Sequence, residues 1–248
     1  MMRIRSISLA ALAGAAFSMV GCSSRSLVAV RDAGDQHYQY REYDAALKDY
    51  EEYIDRRPGN AHVHQMMGNT YVKLGKTALG CEQLKLAHAL QLEDDGIFAD
   101  LCSALYADKQ YDELNRALRE RTIGGGRMQD WALLASYADK LGDQDEAQRA
   151  WLTAAQVDGG KSVVPQLGLA KLYMKVGDAD RARKRLAMAY YLDPTNTEIA
   201  EMARELNEIP GPTYGVVPEE QMGVGRIAPQ PSVQMPTHAE ATAKPDQP

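Results

Sequence analysis

The sequence predicts an all-α chain made of repeated helix–turn–helix units. Three observations lead there. From Val163 to Asn196, small and large apolar residues recur three and four positions apart, the spacing of one helix face. The same pattern returns upstream in near-continuous register, with a period of about 34 residues. Glycine and proline stand at fixed places between the apolar runs, where helices must end.

With Val163 as position 1, Leu169, Ala170 and Tyr173 fall at positions 7, 8 and 11 of a first helix, A. Gly177, at position 15, supplies the positive φ that ends that helix at little cost. Ala182, Leu186 and Ala189 occupy positions 20, 24 and 27 of a second helix, B. Small side chains at 8 and 20 let the two axes approach, and larger ones fill the space beside them. Pro194, at position 32, stops helix B. Pro165 lies in the first turn of helix A, where its missing N–H is not needed.

Met128–Lys161 repeats the scheme with Leu134, Ala135, Gly142, Ala147, Trp151 and Ala154. Ala61–Asp94 repeats it with Met67, Gly68, Tyr71, Gly75, Gly80, Leu84 and Ala87. Leu27–Asn60 carries Gly34, Tyr43, Ala46, Tyr50 and Pro58. Asp95–Arg127 is the weak copy. Phe98, Leu101, Cys102 and Leu105 fit, but Leu114 stands at position 20 and Gly124-Gly125-Gly126 loosens the exit, so this unit is expected to be open. Tryptophans and tyrosines at repeat positions are expected in the core. Thr197–Leu206 places Ile199, Met202, Ala203 and Leu206 on one face and charges on the others, as a capping helix does.

These residues resemble the tetratricopeptide repeat (TPR) family over roughly Leu27 to Leu206. The resemblance implies a right-handed α-solenoid of about five repeats plus a capping helix, with a concave groove lined mainly by A helices. It also implies binding of a protein or peptide partner rather than catalysis.

Both ends differ from the repeats. Arg3 and Arg5 precede an apolar stretch, Ile7–Val20, too short for an ordinary membrane span. Met19-Val20-Gly21-Cys22 looks like a bacterial lipobox, although Met19 stands where leucine is usual. Lipidation is thus expected at Cys22, with an ordinary secretory signal cut near Ala13–Ala16 as the alternative. Ser23 after that cysteine favours the outer membrane, so the chain is read as lipid-anchored on the periplasmic face. From Ile209 onward prolines punctuate polar residues and no apolar periodicity survives, which predicts a disordered, partly polyproline-II tail. The chain therefore divides into a lipoprotein signal peptide (1–21), a lipidated tether (22–26), a repeat region (27–208) and a tail (209–248). Within the repeat region the units are 27–60, 61–94, 95–127, 128–161 and 162–196, followed by the capping helix 197–208.

Candidate chemistry is sparse. Gly159-Gly160-Lys161-Ser162 resembles the end of a phosphate-binding loop, but Ala155 stands where the first glycine belongs and a helix precedes it, so an inter-repeat turn is expected. His62 and His64 point to different faces, with no ligand spacing nearby, which favours surface or groove histidines over a metal site. Cys102 should face inward and Cys81 outward, which argues against a bridge between them. Arg181, Arg183, Lys184 and Arg185 read as a solvated outer face of helix B. The net charge of −6 argues against a nucleic-acid binder, and no cofactor is expected.

The expected function is a non-enzymatic scaffold supporting assembly of an envelope complex such as a pilus, secretion or outer-membrane machine. A spacer bound to the cell wall through its tail, or an accessory subunit of a polysaccharide enzyme, are the alternatives. In the family, positions 2, 5, 9 and 13 of helix A point into the groove. That nominates Lys73, Lys140 and Lys175 at position 13 and Asn69 and Lys171 at position 9 as partner-binding residues. They favour an acidic or carboxylate-bearing partner. Lysine at 13 equally suits an exposed helix end near the negative pole of its dipole.

Overall fold

The computed structural model describes residues 25–223, so Cys22, the leader and residues 224–248 lie outside it. Among the described residues all regular structure is helical. A helices are α1 (Leu27–Gln39), α3 (Ala61–Lys73), α5 (Asp95–Ala107), α7 (Met128–Leu141) and α9 (Val163–Lys175). B helices are α2 (Tyr43–Arg56), α4 (Thr77–Leu90), α6 (Tyr111–Thr122), α8 (Gln144–Asp158) and α10 (Ala179–Leu192), followed by α11 (Thr197–Glu205). Each A helix begins at position 1 of its repeat. The described residues form two compact units that divide within α5, residues 25–104 and 105–223.

In the first unit, Val30, Ala46, Leu47, Tyr50, Tyr53, Val63 and Met67 form a core shared by α1, α2 and α3. A Cβ on Gly34 would stand 2.6 Å from the Tyr50 ring, which is why position 8 is glycine there. The Tyr50 hydroxyl donates to Asp35 at 2.9 Å, and burial followed by that hydrogen bond pushes the phenol well above its ordinary range. The first described residues are tied down: Arg25 pairs with Asp49 at 2.7 Å and with Glu52, and Ser26 caps α1 by accepting from the Ala29 N–H. In the α3/α4 hairpin the position 8 and 20 residues are both glycine, and the helices approach backbone to backbone at Gly68 and Gly80.

In the second unit, Ala138, Ala147 and Leu172 pack with Trp151, which also lies against Leu169, Tyr173 and Ala182. Trp151 rests flat on Gly168, where a Cβ would meet the indole at 2.5 Å. Ile199, Met202 and Ala203 of α11 close the end of the stack against Ala170, Leu186 and Ala189. The triple-glycine exit is fastened rather than loose. Asp130 accepts from the Arg127 backbone at 2.9 Å and pairs with the Arg121 guanidinium at 3.2 Å, and the Trp131 indole donates to the Gly125 carbonyl at 3.2 Å.

The turn at position 15 obeys one backbone rule in all five repeats. Gly75, Gly142 and Gly177 have φ of 75°, 85° and 79°, and Arg41 and Lys109 adopt 63° and 61° at the equivalent places. Two repeats therefore make the same left-handed turn without glycine, at a steric cost of about 1–2 kcal/mol per residue.

Several expectations need correction. Leu114 is fully buried, so the third repeat is filled at position 20 rather than open. Cys81 is buried, not outward-facing; Cys81 and Cys102 are both buried thiols. Trp131 and Trp151 are only partly buried. His64 is a buried structural group whose Nε2 meets the Pro58 carbonyl at 2.7 Å while Nδ1 meets the Gln83 amide at 2.8 Å.

The largest difference lies after α11. Residues 209–223, expected to belong to a disordered tail, run back over α9 and α10. The Tyr214 ring packs edge-on against Tyr190 at 5.4 Å, Val216 N–H donates to the Ala187 carbonyl at 3.1 Å, and Pro218 is buried. Nor is the basic run on α10 a uniformly solvated face. Lys184 pairs with Glu219, and Arg185 is buried against Glu220 at 2.6 Å. Arg181 stacks over Tyr173 at 4.6 Å, and Arg183 pairs with Asp180 at 3.0 Å. The local sequence hid this because the contacts are long-range side-chain pairs that leave no helical or strand period.

Candidate functional site

The nominated residues lie on A helices, and each unit presents its own face. In the first unit, consecutive A helices are linked by polar contacts between exposed or half-buried side chains. Asp35 of α1 meets His62 of α3 at 3.4 Å. Gln65 and Asn69 of α3 both donate to one oxygen of Asp100 on α5, each at 2.7 Å. Lys73, one turn after Asn69, lines a recess of about 160 Å³ with Tyr38, Asn69, Asp100 and Ser103. Asn69 is thus spent on orienting Asp100, and the recess offers one cation, one anion and two hydroxyls.

In the second unit the nominated lysines are all engaged within the chain. Lys140 sits 4.4 Å over the Tyr137 ring and 5.9 Å from Tyr106. Those two rings are themselves 5.7 Å apart. Lys175 reaches back to α7, donating to the Asp139 carboxylate at 2.7 Å and the Asp139 carbonyl at 3.2 Å. Lys171 pairs with Glu198 of α11 at 2.7 Å. The ion pairs of Lys171 and Lys175 are exposed or half-exposed, and such pairs contribute about 0–1 kcal/mol each because water and salt screen them, whereas Lys140 lies on the buried Tyr137 ring. A partner's carboxylate can replace the chain's own at small cost. The structure brings Lys140, Lys171 and Lys175 onto one run of A helices; Asn69 and Lys73 share a separate recess.

Sequence reasoning missed the acceptors, Asp100, Asp139 and Glu198, and the Tyr106–Tyr137 pair. One signal was available: position 9 of one A helix faces position 2 of the next, as Asp35 with His62 and Lys171 with Glu198.

The Gly159–Ser162 stretch is an inter-repeat turn. Gly159 caps α8 with φ 65°, and Gly160 follows at φ 69°. Among the described residues no cluster of histidine, cysteine, aspartate and glutamate could hold a metal, and no helix is long and apolar enough to cross a membrane.

A second built surface lies on the outside of α9 and α10. The Arg185 guanidinium donates to Gln166 at 2.8 Å and to Glu220 at 2.6 Å, and Gln166 donates to the other oxygen of Glu220 at 2.9 Å. Burial pushes the Glu220 carboxyl up, but the hydrogen bonds from Arg185, the backbone and Gln166 outweigh it and hold the group below its ordinary value. Gln221 donates to the Gly160 carbonyl at 2.8 Å. A Cβ on Gly160 would stand 2.9 Å from Pro218 and 3.1 Å from Glu220, so this glycine serves the overlying segment as well as the turn.

No family model matches the sequence, and no curated protein matches it. Solved structures do. The C-terminal part of a TPR repeat-containing protein from Cytophaga hutchinsonii superposes with a TM-score of 0.56 at 17% identity, over 75% of this chain and 76% of that one. MamA from Desulfovibrio magneticus RS-1 gives 0.52 at 14% identity, over 68% and 96%. TTC0263, a thermophilic TPR protein of Thermus thermophilus, gives 0.51 at 19% identity, over 73% and 99%. At such identities the likeness establishes the fold: the chain adopts the helix-hairpin repeat architecture of TPR proteins.

Proposed function

We propose that this chain is a non-catalytic interaction scaffold whose A-helix face binds a protein or peptide segment bearing carboxylates. The observation that carries it is the state of Lys140, Lys171 and Lys175. They stand on neighbouring A helices, Lys171 and Lys175 in exposed or half-exposed, exchangeable ion pairs and Lys140 over the buried Tyr137 ring. Among the described residues, the buried polar groups His64, Asp49, Asp130 and Arg185 are engaged in packing: His64 with Pro58 and Gln83, Asp49 and Asp130 in ion pairs, Arg185 under residues 209–223.

The scaffold acts at the bacterial envelope, in assembly of a pilus, secretion or outer-membrane machine. The leader supports this: Arg3, Arg5, the apolar Ile7–Val20 and Cys22 suit an acylated N-terminus on the periplasmic face of the outer membrane. Arg25 is paired with α2, so only Ser23 and Ser24 separate it from the proposed anchor, a reach of about 10 Å at most. The first hairpin then sits close to the lipid surface.

Charge reversal of Lys140, Lys171 and Lys175 together is expected to weaken crosslinked partner capture from envelopes and to flatten its salt dependence, with the melting temperature nearly unchanged. Capture indifferent to the triple change refutes the A-face reading. Cys22→Ser is expected to move the protein from membranes to the soluble periplasm, and an unmodified, soluble wild-type protein refutes the anchor.

A further inference from the structure

Residues 209–223 are held by a set of contacts unlike those inside the repeats. Three consecutive side chains make most of them: Glu219 to Lys184, Glu220 to Arg185 and Gln166, and Gln221 to the Gly160 carbonyl. A backbone hydrogen bond from Val216 N–H to the Ala187 carbonyl fixes their direction. Further backbone bonds are internal to the segment, with Gln221, Met222 and Gly223 donating to Pro218, Glu219 and Glu220, so the turn after Pro218 closes on itself.

The apolar contribution is thin. Pro218 is buried and Tyr214 packs half-buried on Tyr190 and the core of α9–α11, but Ile209 is 88% exposed and Val216 and Met222 are about half exposed. The core beneath is closed by α11 through Ile199, Met202 and Ala203. What lies under the segment is a shaped polar cleft. Its base is Gln166, with no exposure, and the Arg185 side chain at 10%, facing the Glu220 side chain at 6%. Gly160 and Gly215 allow the close approach, since a Cβ on Gly215 would stand 3.1 Å from the Tyr191 backbone. Two adjacent cations, Lys184 and Arg185, meet two adjacent glutamates. Buried charge-assisted bonds of this kind read sequence more than they add bulk affinity.

We propose that the outer face of α9 and α10 is a peptide-binding site, occupied in cis by residues 214–221 and in trans by a proline-led, paired-glutamate segment of a protein partner. Its residues Gly160, Gln166, Lys184 and Arg185 are none of those nominated on the A-helix face, although Gln166 shares α9 with Lys171 and Lys175. The chain's own segment acts as a tethered competitor. Its effective concentration, of millimolar order for a short connection, sets the affinity a partner must exceed.

The test uses the full chain and a labelled peptide of residues 212–223. Glu220→Lys in the chain reverses the tethered carboxylate and opens the cleft while leaving Arg185 and Gln166 in place. The peptide is expected to bind this variant saturably and the wild-type chain at least about 30-fold more weakly. A peptide carrying Glu220→Gln should lose a similar factor. Adding Arg185→Glu to the variant should abolish binding of the wild-type peptide and, by restoring opposite charges at positions 185 and 220, return the tethered segment to the cleft and protection to the Val216 amide. That re-pairing distinguishes recognition from damage to the fold, which unchanged helical circular dichroism also monitors. The proposal is overturned if the peptide fails to bind Glu220→Lys chains in which fast exchange of the Val216 amide shows the segment released. It is overturned equally if Val216 stays as protected as in the wild type.

Discussion

The contact between Gly68 and Gly80 allows a sharp test of the packing. Gly68→Ala and Gly80→Ala each add one methyl to a helix interior, where alanine is favoured over glycine by about 0.8–1.0 kcal/mol. On propensity alone both substitutions stabilise. The geometry opposes this. A Cβ on Gly68 would lie 2.7 Å from Leu84 Cγ, 3.0 Å from the Gly80 carbonyl oxygen and 3.2 Å from the Leu84 amide nitrogen. One on Gly80 would lie 2.6 Å from Val72 Cγ2 and 3.0 Å from the Gly68 carbonyl oxygen. Backbone atoms are among the neighbours of both, and Val72 is stiff at χ1, so relief requires the helices to separate by about 0.5–1 Å. Gaps of that size forfeit a quarter to a half of the dispersion well for each atom pair across the crossing. Overpacking of this sort costs about 1–3 kcal/mol, which leaves a net loss of about 0–2 kcal/mol for each variant. The double variant should lose less than the sum, because both methyls open the same interface. In α7/α8 the same positions hold Ala135 and Ala147, both buried, and there the reverse change is the harmful one. Ala135→Gly should cost about 1–2 kcal/mol through lost propensity and one lost methyl. Urea unfolding followed by circular dichroism reads the totals, and amide exchange at Val72 and Leu84 localises the effect. A Gly80→Ala protein more stable by about 1 kcal/mol would refute the close-contact account.

At position 15, Arg41→Gly and Lys109→Gly should each stabilise by about 0.5–1 kcal/mol by relieving a left-handed side-chain residue, and a fall in melting temperature would contradict this. The Glu220 carboxyl is held below its ordinary 4.5 when folded, so its contribution is complete above that pH and is lost as pH falls through the lowered folded value. Protection of the Val216 amide should therefore drop below about pH 4.5 in the wild type and stay low and flat in Glu220→Gln; identical profiles would remove Glu220 from the account. Asp130→Ala should cost about 3 kcal/mol, since it leaves the Arg121 side chain short of its anion and the α7 N-terminus short of a cap, and a loss under about 1 kcal/mol would mean the triple-glycine exit is not fastened there. Ala182→Trp should cost about 1–3 kcal/mol or more, and Leu114→Trp should now cost about as much because Leu114 is equally buried; a tolerated Leu114→Trp would restore the open third repeat.

What the sequence determined by itself was everything set by local period. The recurrence of Leu169, Ala170, Ala182 and Leu186 fixed which residues make each helix pair and which face is buried, because a helix allows only one placement of residues three and four apart. Gly142 and Gly177 marked turns because a left-handed residue is cheapest as glycine. Where the chain bears that cost without glycine, at Arg41 and Lys109, the signal vanished although the turn did not. The candidate site was legible as positions and illegible as chemistry. Lysine at position 13 could be read off; its engagement with Asp139 or with Tyr137 could not, since nothing in the repeat period specifies which neighbouring carboxylate or ring a lysine will meet. The same holds for Pro218–Gln221, which carry no period of their own. Only the tertiary structure decided that Glu220 meets Arg185, 35 residues earlier, and Gln166, 54 residues earlier. Local geometry is written in neighbouring residues, whereas a buried ion pair depends on the meeting of two surfaces that the repeats must first create.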